Sequence, residues 1–130
     1  MEQISAKKNT NRRQIEGEIV DKEYIEIEKD LIPYEFEIEL EEEIFTFDVR
    51  YNENHDFFTI DLYKDEKLIC AGEKLVYGVP LWEDITTSEF PAPTIIPLDP
   101  SGKERRVTWD NLNTTVFLIL DNQGEGEEDE

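Results

Sequence analysis

The stretch that most constrains the fold runs from Tyr34 to Tyr63 and reads YEFEIELEEEIFTFDVRYNENHDFFTIDLY. Apolar and polar residues alternate along it with period two. Because successive side chains of a β-strand point to opposite faces of a sheet, this alternation predicts three half-buried strands. The links between the strands are short, which favours an antiparallel meander.

Further strand patterns lie on both sides of this meander. Tyr24 to Ile27 precedes it, and the runs LICAGE, IIPLDP and TTVFLIL follow it. The last run is apolar at most positions, as is typical of a strand buried on both faces. No stretch predicts a helix longer than a turn or two. Six to eight antiparallel strands must close or stack to hide their edges, so we expect an all-β fold, either a small antiparallel β-barrel or a sandwich.

Composition divides the chain into three parts. Residues 1–14 are polar and basic and predict an extended, flexible arm; residues 15–120 hold the β-domain; residues 121–130, DNQGEGEEDE, predict an acidic, disordered tail. The arm has two interpretations. It is either a frayed terminus or a basic segment that lies on an acidic neighbour, such as another copy of the chain.

The net charge is -20, from 33 acidic and 13 basic residues. This opposes general nucleic-acid binding and docking on an anionic membrane, because both depend on cationic side chains. One interpretation is a well-solvated acidic surface. The other is a mimic of DNA that occupies the DNA site of another protein. The first is favoured, because most carboxylates fall at outward strand positions or in loops and tails.

Neither catalysis nor cofactor binding is predicted. His55 is the only histidine, and it lies in a polar turn, NENHD. The sequence lacks GxSxG, HExxH, P-loop and GxGxxG motifs, and its acidic tail lacks the ligand order of a calcium loop. Cys70 is the only cysteine and has apolar neighbours, which favours a buried structural thiol.

The sequence predicts neither a membrane-spanning segment nor a signal peptide. No apolar run approaches the roughly 20 residues that cross a bilayer, and the polar N-terminus does not look like a signal peptide. We therefore expect the protein in a cytoplasm, either of a cell or of a host that is producing a virus.

Two features suggest contacts with other proteins. A segment of more than ten residues between 78 and 94 is apolar and punctuated by glycine and proline, and long loops of this kind are usually functional or ordered by a partner. The predicted interface residues are Val79, Leu81, Trp82, Ile85 and Phe90, with Lys7, Lys8, Arg12 and Arg13 of the arm. The alternative is that some of these apolar residues only cap one end of the fold.

The basic run Lys103, Arg105 and Arg106 lies beside Trp109, a combination that some small barrels use to bind single-stranded nucleic acid. The surrounding negative charge argues against that role. We favour local ion pairs, or contact with an acidic protein surface.

The order of the strand motifs resembles a known family. The successive segments YEFEIEL, FTFDVRYN, FFTIDLY, GEKLVYGVPL, IIPLDPSG and NLNTTVFLIL, between Tyr24 and Leu120, are similar to the baseplate plug proteins of tailed bacteriophages, a family typified by a cyanophage baseplate plug. Members often carry glycine in the first hairpin, where this chain has Glu41, Glu42 and Glu43. The basic arm and the acidic tail also extend beyond the family pattern.

The resemblance implies a structural, non-enzymatic virion component of the tail baseplate or tail tip, made in the host cytoplasm. Its partners would be hub or tail-tube proteins and possible further copies of itself. Two rival classes stay open. An acidic DNA mimic would inhibit a DNA-binding enzyme, and a hydrolase or carbohydrate-binding β-domain would need a cleft with aromatic platforms and an isolated carboxylate pair.

Overall fold

The alternating stretch Tyr34–Tyr63 folds as three consecutive antiparallel strands, as predicted, and the separately predicted strand LICAGE adds a fourth. The computed structural model describes residues 4–5, 8–15, 18–83, 85, 87 and 89–121, with side chains from residue 23 onward. The described residues form nine strands and a single 3-10 turn at Lys29–Leu31. The strands are β1 Ile4–Ser5, β2 Lys8–Ile15, β3 Glu18–Ile25, β4 Tyr34–Leu40, β5 Glu43–Asn52, β6 Phe57–Lys64, β7 Lys67–Lys74, β8 Thr94–Leu98 and β9 Phe117–Asp121.

The first sheet has the strand order β1-β4-β5-β6-β7. Strands β4 to β7 form the predicted meander, extended by the fourth strand, and β1 adds to β4 in parallel. Phe36 lies opposite Phe47, which in turn lies opposite Leu62, and all three side chains are fully buried. The period-two pattern therefore set both the strands and their buried face.

The second sheet has the order β2-β3-β9-β8. Strand β9 lies inside it, antiparallel to both β3 and β8. Its first four residues, Phe117 to Leu120, are buried, so the strand is covered on both faces as its apolar sequence predicted. One covering contact is the ring of Tyr24, 4.7 Å from that of Phe117 between centroids.

Buried side chains of the two sheets form one core. Phe47 and Ile60 of the first sheet belong to the same cluster as Ile25, Ile95 and Leu118 of the second. The all-β prediction is confirmed, and of its two alternatives the fold is a sandwich rather than a closed barrel. From β3 onward the described chain has seven strands, within the expected six to eight.

Two hairpins turn on acidic residues with left-handed backbone. Glu41 and Glu42, between β4 and β5, have φ of 53° and 68°. Asp65 and Glu66, between β6 and β7, have φ of 53° and 64°. Positive φ at both central residues is the pattern of a type I′ turn, whose twist matches that of the flanking strands but which usually requires Asn or Gly.

The chain crosses between the sheets directly after β7. The N–H of Leu75 still bonds to the carbonyl of Phe58 (3.0 Å) in the first sheet. Gly78, at φ 75°, then donates to Pro97 O (2.8 Å), and Leu81 donates to Ile95 O (2.9 Å) in the second. These bonds cover the outer edge of β8, which would otherwise be open to pairing.

The division into arm, domain and tail at residues 14 and 120 stays a prediction. Strand β1 and all of β2 except Ile15 lie within the expected arm, and Asp121 ends β9. The rest of the expected tail, residues 122–130, lies outside the described residues. Among the described residues, no helix has the length and apolar character needed to cross a bilayer.

Candidate protein–protein interface

Trp82 is the anchor of the apolar segment, by which we mean the described residues between 75 and 90. Its side chain is 7% exposed and meets the Phe47 ring edge-on, at 5.9 Å between centroids. Its backbone has φ 55°, and its N–H donates to Glu73 Oε2 at 2.8 Å. Phe90 packs on the other side of the indole at 5.8 Å. The segment is thus held to the first sheet by both a buried ring and a charged acceptor on β7.

The five predicted apolar interface residues differ in exposure and fall into three groups. Leu81 and Trp82 are buried in the core, at 6% and 7% exposure, so their side chains serve the fold of the isolated chain. Val79 and Ile85 are exposed at 39% and 38%. Phe90 is half-buried against the core.

Sequence reasoning did not include Val76 among the interface residues, although it is 42% exposed. It lies in the same apolar run, and the N–H of Val79 donates to its carbonyl at 3.1 Å, so a turn brings the two valines close together. We call Val76, Val79 and Ile85 the apolar rim. Their role as an interface stays a prediction.

The four predicted basic residues lie in the N-terminal region. Lys8, Arg12 and Arg13 are on β2, where their backbones pair with Ile25, Asp21 and Val20 of β3. Lys7 and the side chains of the other three lie outside the described part of the chain.

A well-anchored loop, residues 99–116, forms the end of the sandwich where β8 stops and β9 begins. Asp99 is 5% exposed, and its carboxylate accepts bonds from the N–H and Oγ of Ser101 (both 2.8 Å) and from the N–H groups of Lys103 (3.0 Å) and Glu104 (2.9 Å). Burial alone would raise the pKa of this carboxyl, but these hydrogen bonds together hold the pKa below its ordinary value.

Asn111 organises the second half of this loop. It is 8% exposed, and its amide donates to Glu104 Oε1 (3.1 Å) and to Arg106 O (2.9 Å). Its side-chain oxygen accepts from Thr108 N (2.9 Å). Glu104 is therefore turned toward the protein, and the loop presents a fixed backbone on which Arg105 and Arg106 stand exposed.

Trp109 joins this loop to the first sheet and is not a free stacking platform. Its ring is stacked on Phe58, 6.0 Å away at 11° between planes, and lies 4.8 Å from the ring of Tyr51. The Lys29 ammonium lies 5.5 Å from the ring centroid and donates to the Trp109 carbonyl. Because these groups occupy the ring, the structure favours a structural role for Trp109 over base stacking.

Asp56 also links Trp109 of the 99–116 loop to Tyr51 of the first sheet. Its Oδ1 accepts from Tyr51 Oη (2.7 Å) and from Trp109 N (2.9 Å). The bond from Tyr51, followed by that from Trp109, lowers the pKa of Asp56. The same bond to the carboxylate raises the pKa of Tyr51 to about 12.

The opposite end of the sandwich is acidic. A cavity of about 410 Å³ there is lined by carboxylate residues around a floor of Leu40, Pro93 and Leu120. The carboxylate residues are Glu23, Glu39, Glu41 and Glu42. In the described part of the chain, no three His, Cys, Asp or Glu side chains are grouped as a metal ion would require.

His55 and Cys70 are the single histidine and the single cysteine of the chain. The His55 N–H donates to Asn52 Oδ1 (3.1 Å) in an exposed turn. Cys70 is half-buried; burial, and then the charges of Glu73 and Asp61, raise the pKa of its thiol against a smaller opposing effect of Trp82. A thiol with a raised pKa is a poor nucleophile at neutral pH.

Comparison with known proteins gives one family. The model described as "Cyanophage baseplate Pam3 plug gp18" matches residues 22–123, which is more than half of the chain and includes β4 to β9, the apolar segment and the 99–116 loop. No curated protein and no solved structure matches the chain.

Proposed function

We propose a function on one premise: this chain belongs to the cyanophage baseplate plug family, whose model matches residues 22–123. The family makes it a structural component of the phage tail and places it in the virion. From this we infer that the protein is built into the tail baseplate or tail tip and works by contacts with hub or tail-tube proteins, after synthesis in the host cytoplasm. The family match is the observation that carries the proposal.

The apolar rim supports a contact of this kind. Val76, Val79 and Ile85 are exposed at 42%, 39% and 38%, on a segment that Trp82 and Glu73 hold in place. Contact with a partner removes exposed aliphatic side chains from water, which favours binding. Because the backbone that carries them is already fixed, the cost in conformational entropy is small. We propose that the rim is buried against another baseplate protein, while Leu81 and Trp82 support it from inside and Phe90 flanks it.

The charge pattern supports the other part of the proposal. The exposed glutamates of β4 and the acidic cavity repel nucleic acid and anionic lipid, so we propose protein partners only, with neither direct nucleic-acid binding nor a membrane. We further propose that Lys7, Lys8, Arg12 and Arg13 contact an acidic partner surface.

The test is genetic and structural. Particles of the phage that encodes this chain, produced without it, should show by electron microscopy tails that fail to form or that lack a tip. Infectious particles with normal tails would overturn the proposed function.

The interface needs a finer test with matched variants. Val79→Ser with Ile85→Ser should leave the isolated domain folded and stop its incorporation into particles. Ile44→Ser with Leu68→Ser is the control, because these two residues are also exposed, at 57% and 48%, but lie outside the apolar segment. Equal incorporation of both double variants would overturn the assignment of the rim.

The DNA-mimic alternative predicts a different result. A purified chain of that class would inhibit a DNA-binding enzyme in a salt-sensitive way, and phage tails would assemble without it.

A further inference from the structure

We propose that Arg105 and Arg106 form a receiving site for the acidic segment 122–130 of a second copy of this chain, so that copies join head to tail. The proposal deepens the proposed function by naming one partner in the assembly. It rests on the charge of the two ends of the sandwich and on the place where the described chain stops.

Arg105 and Arg106 are neighbouring exposed cations in a chain with 33 acidic residues. Both are exposed, and no carboxylate of the described residues lies within ion-pair distance of either guanidinium. Arg106 acts on Asp56 only from a distance, where its charge lowers the pKa of that carboxyl. Glu104, the nearest acidic residue in sequence, is engaged by Asn111 and Thr115.

The site has a shape as well as a charge. Arg105 and Arg106 line a shallow cavity of about 410 Å³ together with Glu104, Thr108, Asp110 and Asn111. The Asp110 carboxylate is not within ion-pair distance of either guanidinium. The backbone beneath them is fixed by the hydrogen bonds of Asp99 and Asn111. Two neighbouring guanidinium groups on such a backbone suit carboxylates, which arginine binds in a bidentate manner.

The proposed ligand begins at the other end of the molecule. Strand β9 leaves the 99–116 loop at Phe117 and ends at Asp121, beside the acidic cavity to which Leu120 contributes. Five acidic residues follow within the next nine positions: Glu125, Glu127, Glu128, Asp129 and Glu130. The acidic segment therefore starts about 14 Å along the strand from the loop that carries the arginines.

A second copy is the better donor of this segment. Nine residues span at most about 30 Å, and a segment folding back to its own Arg106 must cross the acidic end where it starts. Strand β9 offers no free sheet edge for pairing, because it lies between β3 and β8. A copy placed end to end needs no reversal of the chain, and like charge around the acidic cavity disfavours such a reversal. A contact between unlike ends repeats, and so generates rings or lines of copies.

The net charge of -20 predicts an unusual dependence on salt. At about 0.01 M salt the Debye length is about 30 Å, so whole copies repel one another. At about 0.15 M it is about 8 Å, which screens that repulsion more than it screens ion pairs in contact. At about 1 M the ion pairs weaken too. Self-association should therefore be strongest at intermediate salt.

The test is sedimentation velocity on the full chain at these three salt concentrations and across a wide range of protein concentration. We expect concentration-dependent association that is lost in two variants. One is Arg105→Glu with Arg106→Glu; the other replaces the five acids of the segment by amides, that is Glu125→Gln, Glu127→Gln, Glu128→Gln, Asp129→Asn and Glu130→Gln. In the arginine variant, contact between like charges should weaken association by about tenfold or more.

Mixing these two variants gives the decisive result. The arginine variant retains the acidic segment but lacks the site, and the amide variant retains the site but lacks the acidic segment. In a head-to-tail contact the segment of the first can therefore bind the site of the second. We expect each variant alone to stay monomeric and the mixture to form 1:1 heterodimers that extend no further. A mixture that stays monomeric would overturn the proposal.

Lys64→Glu with Lys67→Glu is the matched control, with the same change in net charge at a half-buried and an exposed lysine whose ion pairs are with Glu43 and Glu89. It should associate like the wild type. Circular dichroism shows that each variant is folded. A wild type that stays monomeric at all three salt concentrations, or variants that associate like it, would overturn the proposal while leaving the virion test of the family function intact.

Discussion

The backbone N–H of Trp82 donates a hydrogen bond of 2.8 Å to Oε2 of Glu73. Glu73 is on β7 of the first sheet, and Trp82 is the buried anchor of the segment that crosses to the second. The bond therefore holds the apolar rim in position from below. Because Trp82 has φ 55°, which is unfavourable for a residue other than glycine, the segment needs such contacts to keep its conformation.

Glu73→Ala should destabilise the domain by about 1.5–3 kcal/mol, since it removes a hydrogen bond to a charged acceptor. Glu73→Gln keeps an acceptor oxygen and should cost less. Urea unfolding followed by tryptophan fluorescence measures both. Glu83→Ala, an exposed position in the same segment, is the control and should stay within about 0.5 kcal/mol of the wild type. A Glu73→Ala variant as stable as this control would contradict the anchoring role.

The first hairpin carries strain that can be removed. Glu41→Asn with Glu42→Gly puts the preferred type I′ residues where φ is 53° and 68°. We expect a gain of about 1–2 kcal/mol, because left-handed backbone costs roughly that much for an L-residue with a β-carbon. The midpoint of thermal unfolding should rise accordingly.

Glu53→Gly is the matched control for this prediction. Glu53 also lies in a hairpin link, between β5 and β6, but it is not among the residues with positive φ. Glycine there relieves no strain and adds entropy to the unfolded chain, so it should be neutral or destabilising. The hairpin variant removes two negative charges and Glu53→Gly removes one. If Glu53→Gly gains half as much stability as the hairpin variant or more, the benefit is the loss of negative charge and not the relief of the backbone.

The period-two pattern predicted β4, β5 and β6 correctly because alternation along a strand is a local property. Successive side chains point to opposite faces of the sheet, so the apolar positions alone identify the buried face. The turns were harder. Glutamates at 41 and 42 gave no sign of left-handed backbone, which Gly, Asn and Asp normally signal. There the pairing of β4 with β5 imposes the conformation, against the local preference of the residues.

The candidate site shows the same limit. Gly78 and Pro80 mark an irregular segment, and exposed Val79 and Ile85 agree with that interpretation. Trp82 is buried because Phe47, 35 positions earlier in the chain, provides its contact surface. Contacts between residues so distant in sequence depend on how the sheets pack, and no local pattern carries that information.

Asp99 makes the stability of the 99–116 loop depend on pH. Its pKa is lowered in the folded chain by the hydrogen bonds that it accepts, whereas an unfolded aspartate titrates near about 3.9. A lowered folded pKa means that the stabilisation is fully present above the unfolded pKa and is lost as pH falls through the folded value. The domain should therefore lose stability below about pH 4 partly through this residue.

Asp99→Asn tests this directly. The amide puts a donor or a weaker acceptor where four donors converge, so the variant should be less stable than the wild type at neutral pH by about 2 kcal/mol or more. The difference in urea midpoint should narrow as pH falls below about 4, because the wild-type carboxyl then protonates. A constant difference across that range would show that the loss comes from packing and not from the charge of Asp99.

Trp82 and Val79 should respond in opposite ways to truncation, although both lie in the apolar segment. Trp82→Ala removes a buried ring that contacts Phe47 and Phe90, and should destabilise the domain by about 3–5 kcal/mol. Val79→Ala removes two exposed methyl groups and should change stability by no more than about 0.5 kcal/mol. Urea unfolding followed by far-UV circular dichroism measures both without relying on tryptophan fluorescence. A Val79 variant as unstable as the Trp82 variant would mean that the rim belongs to the core, and the surface proposed for partner proteins would then be unavailable.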